Sequence, residues 1–158
     1  MKQTPTAPLI PHTKSKHPLV ILKAVIKAIC DEPKRYNQET FLMREDQTPD
    51  AFDVSFPACG TVACVAGWAC IVTSGVPHSS SGILGRAQAL LRLTGETSDG
   101  LFSGGALGQK SYGDIPPAQY ARLGVRHIIR FAKKTWGQQA ADYLKGKVTR
   151  APRITRVR

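Results

Sequence analysis

Residues 61–77 read Thr-Val-Ala-Cys-Val-Ala-Gly-Trp-Ala-Cys-Ile-Val-Thr-Ser-Gly-Val-Pro, and the whole stretch 54–85 contains no Lys, Arg, Asp or Glu. A helix over 62–73, with Thr61 as its N-cap and Gly75 and Pro77 stopping it, would be apolar on every side. Such a helix belongs at the centre of a domain rather than on its surface. The apolar part falls far short of the roughly 20 residues that span a bilayer, so a buried core helix is the better reading. Gly67 beside Ala63 and Ala66 suggests a close helix approach, with Trp68 as a large core filler.

Working outward, His17-Pro18 opens a second helix with proline in the first turn, where its missing N–H costs nothing. Leu19, Leu22, Val25, Ile26 and Ile29 fall on one side of it, Lys23, Lys27 and Asp31 lie off that side, and Pro33 ends it. Residues 84–93 make a helix with Leu84, Ala87, Leu90 and Leu91 inward and Arg86 and Arg92 outward. Thr94 caps a short turn ending at Leu101-Phe102, and Pro116-Pro117 starts the last core helix, to about Trp136. Residues 79–82 and the glycine-rich 103–113 read as loops, and 40–44 as a short helical or extended piece. The expected fold is all-α, a single compact domain of four to five helices with extended basic termini. Its divisions are a polar arm at 1–16 carrying Pro5, Pro8 and Pro11, a helical domain at 17–137 and a basic tail at 138–158.

With 158 residues, 42% hydrophobic and 21% charged, the chain has the composition of one ordinary globular domain. Wholesale disorder, collagen-like repeats and a disulfide scaffold are excluded as descriptions of the whole. Lys23 and Lys27 interrupt the apolar run near the N-terminus, which therefore does not read as a secretory signal. The expected location is cytoplasmic, with no membrane partner and with Cys30, Cys59, Cys64 and Cys70 as free thiols.

The abnormal quantity is a formal net charge of +11, from 22 Lys and Arg against 11 Asp and Glu. Residues 1–50 carry 8 basic and 6 acidic groups, 51–100 carry 2 and 3, and 101–158 carry 12 and 2. From Tyr120 onward there are 11 basic groups and a single acid, Asp142. On a wheel of about 100° per residue with Tyr120 at zero, Arg122, Arg126, Arg130 and Lys133 cluster between about 200° and 280°. Four cations with no acid at i±4 repel one another by a few tenths of a kcal/mol per pair, which favours a surface that meets a polyanion over a merely solvated face. Lys145, Lys147, Arg150, Arg153, Arg156 and Arg158 repeat the chemistry in the tail with no aromatic between them, so phosphate neutralisation is signalled and base stacking is not.

Other constellations are weaker. Cys59, Cys64, Cys70 and His78 can be written as a zinc set, but Cys64 and Cys70 lie about 120° apart on a continuous helix and no close C-x-x-C pair is present. Cys59 before a helix N-terminus, with His78 or His127 as base, is the sharpest enzyme reading. Against it, His127 sits on an apolar helix face, where a hydrogen-bonded core histidine is the commoner outcome. The pairs Asp31-Glu32 and Glu45-Asp46 read as surface. The loop from Gly104 to Ser111 departs from a P-loop at Gln109, and Gly113, Pro116 and Pro117 forbid the helix that motif needs. Gly82-x-x-Gly85-Arg86 is at most a common helix-start anion site.

The string Cys59-Gly60-Thr61-x-x-Cys64-x-x-Gly67-Trp68, then Leu91-x-Leu93-Thr94, Leu101-Phe102 and Tyr120 to His127-x-x-x-Phe131, resembles an uncharacterised family of small bacterial and phage-encoded proteins over residues 19–136. The resemblance implies a compact helical domain in a mobile-element setting and no catalytic residue. The expected function is non-enzymatic: polyanion (nucleic-acid) binding or assembly for a phage or mobile element, with the ten cations named above at the phosphates and no cofactor or metal. The alternatives are a module that binds an acidic host or virion protein, such as an inhibitor of a defence complex, and a cysteine-dependent enzyme.

Overall fold

The computed structural model describes residues 12–38, 43–44, 61–73, 80–102 and 113–154. Among the described residues six α-helices are present: α1 (Pro18–Asp31), α2 (Val65–Val72), α3 (Ser80–Leu91), α4 (Gly95–Phe102), α5 (Pro117–Trp136) and α6 (Gln138–Leu144). A single 3₁₀ turn, Pro33–Arg35, follows α1, and two short strands, β1 (Met43–Arg44) and β2 (Thr61–Val62), pair antiparallel with Met43 opposite Val62. The fold is therefore all-α, with one small ladder beside the entry to α2.

Every residue of α2 is buried, as its uncharged sequence requires. It packs on α1 and α3, and α1 in turn packs on α5 and α6. Trp68 fills the centre at 1% exposure, its indole N–H donating to the Arg35 carbonyl at 3.1 Å. The N-cap of α2 is Cys64 rather than Thr61, because Thr61 and Val62 are drawn into the ladder and Ala63 bridges Tyr36 in parallel. Backbone hydrogen bonds from the Ala63 amide to the Arg35 carbonyl (2.9 Å) and from the Asn37 amide to the Ala63 carbonyl (3.0 Å) hold that bridge. At the other end, the Thr73 hydroxyl lies 2.8 Å from the Ala69 carbonyl and the Thr13 amide donates to Val72. Two orphan carbonyls of the last turn are thus satisfied.

α3 begins earlier than the expected 84–93 and stops at Leu91. Its buried positions are Ile83, Ala87 and Leu91, one face at i, i+4 and i+8, with Leu84 and Leu90 half-buried beside them. It ends in a Schellman turn: the Leu93 amide donates to Gln88 and the Arg92 amide to Ala89, with Arg92 at φ 54°. The expected short turn after Thr94 is a two-turn helix, α4, and Thr94 does cap it, its hydroxyl oxygen accepting from the Thr97 amide at 3.2 Å.

The stretch from 138, expected as tail, opens with α6, which buries Ala140, Ala141, Tyr143 and Leu144. Lys23 of α1 sits 4.3 Å from the centroid of the Tyr143 ring. Gly146, at φ 78°, closes α6 through hydrogen bonds from its own amide to Tyr143 and from Lys147 to Asp142. The chain then returns to α1. Ile154 is buried, Ala151 packs against the core, and the Pro152 carbonyl lies 2.9 Å from Nε2 of His17. His17 is also the N-cap of α1, its Nδ1 accepting from the Leu19 amide at 3.1 Å. One imidazole therefore joins the start of the helical domain to its basic end, as the Nε2–H tautomer. Among the described residues six helices stand where four to five were expected, because the short α4 and α6 are too brief to show a periodic signature. Residues 1–11 of the arm and 155–158 of the tail lie outside the described residues.

Candidate nucleic-acid interface

α5 carries the stripe. Tyr120, Ala121, Gly124, Ile128, Phe131 and Ala132 are buried, and Arg122, Arg126, Arg130 and Lys133 are all exposed on the opposite side. Spacings of four, four and three residues set these cations at steps of about 5–6 Å over roughly 16 Å of helix. Among the described residues the ion pairs are Lys27–Asp31 at 2.7 Å and Arg35–Glu32 at 3.3 Å, and neither involves α5. Asp31 and Glu32, adjacent in sequence, each form one of these pairs. In the C-terminal segment Lys145, Lys147, Arg150 and Arg153 are exposed, and Arg156 and Arg158 lie outside the described residues. The eight described contact residues thus occupy two places: one helix face, and the segment that follows α6.

Beneath the stripe is a buried polar cluster that sequence reasoning did not anticipate. Gln38, 2% exposed, accepts from the Tyr36 hydroxyl at 3.0 Å on Oε1, donates from its backbone amide to the Tyr120 hydroxyl at 3.1 Å, and donates from Nε2 to the Leu101 carbonyl at 2.8 Å. Nε2 of His127 approaches the same carbonyl at 3.2 Å. Leu101, near the end of α4, therefore has its carbonyl held by two side chains. Gly124 is what lets α5 close over this cluster: a Cβ there would stand 2.3 Å from the Tyr36 ring. His127 is the hydrogen-bonded histidine that its helix face suggested. Burial, with help from the charge of Arg130, pushes its pKa below the usual 6.5.

Cys64 and Cys70 are buried in the core, whereas Cys30 is exposed. Cys30, Cys64 and Cys70 are free. Burial pushes the Cys64 thiol up to about 11 and the Cys70 thiol up to about 12, so both are protonated at neutral pH. Cys70 directs its Sγ to the Ile83 carbonyl at 3.7 Å. Burial also raises Cys30, with Asp31 adding to the effect. Cys59 and His78, the core of the enzyme and zinc readings, lie outside the described residues, as does the 104–111 loop. Among the described residues no group of three or more His, Cys, Asp or Glu is placed to hold a metal ion, and no helix is long and apolar enough to cross a membrane. Gly85 lies past the first turn of α3, beyond the free amides that an anion would use.

The C-terminal half of α5 and the first turns of α4 enclose a cleft of about 490 Å³, lined by Glu96, Thr97, Gly100, His127, Arg130, Phe131, Lys134 and Thr135. Arg130 belongs to both the stripe and the cleft. Comparison of the chain with protein-family models, curated proteins and solved structures returns no match.

Proposed function

We propose that the chain is a non-enzymatic binder of nucleic-acid phosphates, acting through Arg122, Arg126, Arg130 and Lys133 on α5 and through Lys145, Lys147, Arg150 and Arg153 after α6. The observation that carries this reading is the row of exposed cations on α5 with no acidic partner among the described residues. Such a row repels itself and gains free energy only when something anionic lies along it. Phosphate contacts of this kind give affinity without sequence preference. A nucleic-acid duplex supplies evenly spaced charge and releases counterions on binding. The mobile-element setting implied by the resemblance over residues 19–136 belongs to the same proposal.

The test is binding of a labelled duplex as a function of salt. With about eight phosphates engaged, affinity falls by about four orders of magnitude between 50 and 200 mM salt. Absence of binding at the lower salt, or binding indifferent to salt, overturns the proposal. Capture of a lysate protein that survives nuclease treatment, with no nucleic acid retained, would assign the same cations to an acidic protein surface instead.

A further inference from the structure

We infer that two segments from opposite ends of the chain form one phosphate-contacting surface, in which Lys14 and Lys16 join Lys147, Arg150 and Arg153. Its partner rests on the nucleic-acid reading, whereas Lys14 and Lys16 belong to a part of the chain which that reading does not use. Ahead of α1 the backbone is pinned at every second residue. The Thr13 amide donates to the Val72 carbonyl at 2.9 Å, the Ser15 amide to the Thr13 hydroxyl oxygen at 3.1 Å, and the His17 amide to the Ser15 hydroxyl oxygen at 3.1 Å. Thr13, Ser15 and His17 are accordingly half-buried, and Lys14 and Lys16 between them are exposed. The alternation of held and exposed positions puts both lysines on the solvent side of a segment whose path is fixed.

His17 brings in the other half of the surface. Its Nε2 lies 2.9 Å from the carbonyl of Pro152, 135 residues away in sequence. Lys16 and Arg153 are each a single residue, about 3.8 Å of backbone, from that contact. Burial of Ile154 and packing of Ala151 seat the C-terminal segment, and Lys147, Arg150 and Arg153 stay exposed on it. Neither residues 12–30 nor residues 143–154 contain an Asp or Glu, and none of the five cations is in an ion pair among the described residues. Asp31 and Glu32 lie past the far end of α1's apolar face and are taken by Lys27 and Arg35. Apolar burial and hydrogen bonds therefore gather like charges that repel one another, an arrangement that gains free energy when an anion lies among them. The polar side chains of 13–16 and 147–153 are Lys, Arg, Ser and Thr, with no aromatic to stack on a base. That set fits the sugar-phosphate backbone rather than the bases.

The test titrates the full chain with a labelled duplex between 50 and 200 mM salt. Combining Lys14→Gln with Lys16→Gln, two exposed changes outside every helix, is expected to make the plot of log affinity against log salt shallower by about 1.8. Over that range the variant then loses about tenfold less affinity than wild type. Combining Lys27→Gln with Lys34→Gln removes the same charge toward the other end of α1 and is expected to leave the slope unchanged. In NMR titrations of wild type with the duplex, the amides of Lys14 and Lys16 should shift with those of Arg150 and Arg153 at one midpoint. A wild-type slope after the Lys14 and Lys16 changes overturns the inference. So does an equal loss of slope after the Lys27 and Lys34 changes, or a response at 147–153 with none at 14–16. Each of these leaves the binding proposal standing, whereas a wild type that binds no duplex at 50 mM salt overturns both.

Discussion

Gly124 shows how much a single position decides. The Tyr36 ring occupies the space where a Cβ would be, and the Tyr36 hydroxyl, Gln38 and Tyr120 form the buried cluster beneath. Gly124→Ala is expected to destabilise the fold by about 1–3 kcal/mol through overpacking, measured by urea denaturation. A neutral result would mean that α5 does not seat on Tyr36 as described. Arg92 gives the opposite case, because it holds a left-handed φ of 54° that glycine adopts without strain. Arg92→Gly should stabilise by about 0.5–1 kcal/mol, raising Tm by a few degrees. His127 sets a pH dependence. Its pKa is depressed in the fold, so its contribution is complete above the ordinary 6.5 and is lost as pH falls through the lower folded value. Wild type should therefore lose stability below about pH 6.5 more steeply than His127→Gln, which keeps a donor for the Leu101 carbonyl.

At the scale of elements, α1 and α5 were legible because they are long, amphipathic and opened by proline. The uncharged run made α2 legible as a core element, although its start moved to Cys64 because Thr61 and Val62 pair with β1. α4 and α6, of eight and seven residues, left no periodic trace, and α6 is polar in all but four buried positions. The stripe on α5 could be placed from angular position alone. The cleft could not, since it depends on how α4 crosses α5, and neither could the Gln38 cluster, whose partners are up to 82 residues apart. His17 couples the C-terminal segment to α1 through Nδ1 and Nε2. His17→Ala is expected to cost about 1 kcal/mol as a lost N-cap and to raise hydrogen exchange in residues 148–154, where unchanged exchange would show that Pro152 is held by other means.

For the molecule as a whole, the +11 charge resolves into a nearly neutral helical body and a basic final third. That third is not a detachable appendage, because α6 and Ile154 are built into the core. Truncation would confuse lost charge with lost packing, so neutralising exposed cations is the cleaner probe. The most direct measurement compares the salt dependence of duplex binding in wild type and in the combined Arg122→Gln, Arg126→Gln, Arg130→Gln and Lys133→Gln variant. If the α5 stripe is the contact surface, the variant's plot of log affinity against log salt is shallower by about 3 to 4, near 0.9 for each phosphate contact removed. A variant that folds normally and keeps the wild-type slope would contradict the account.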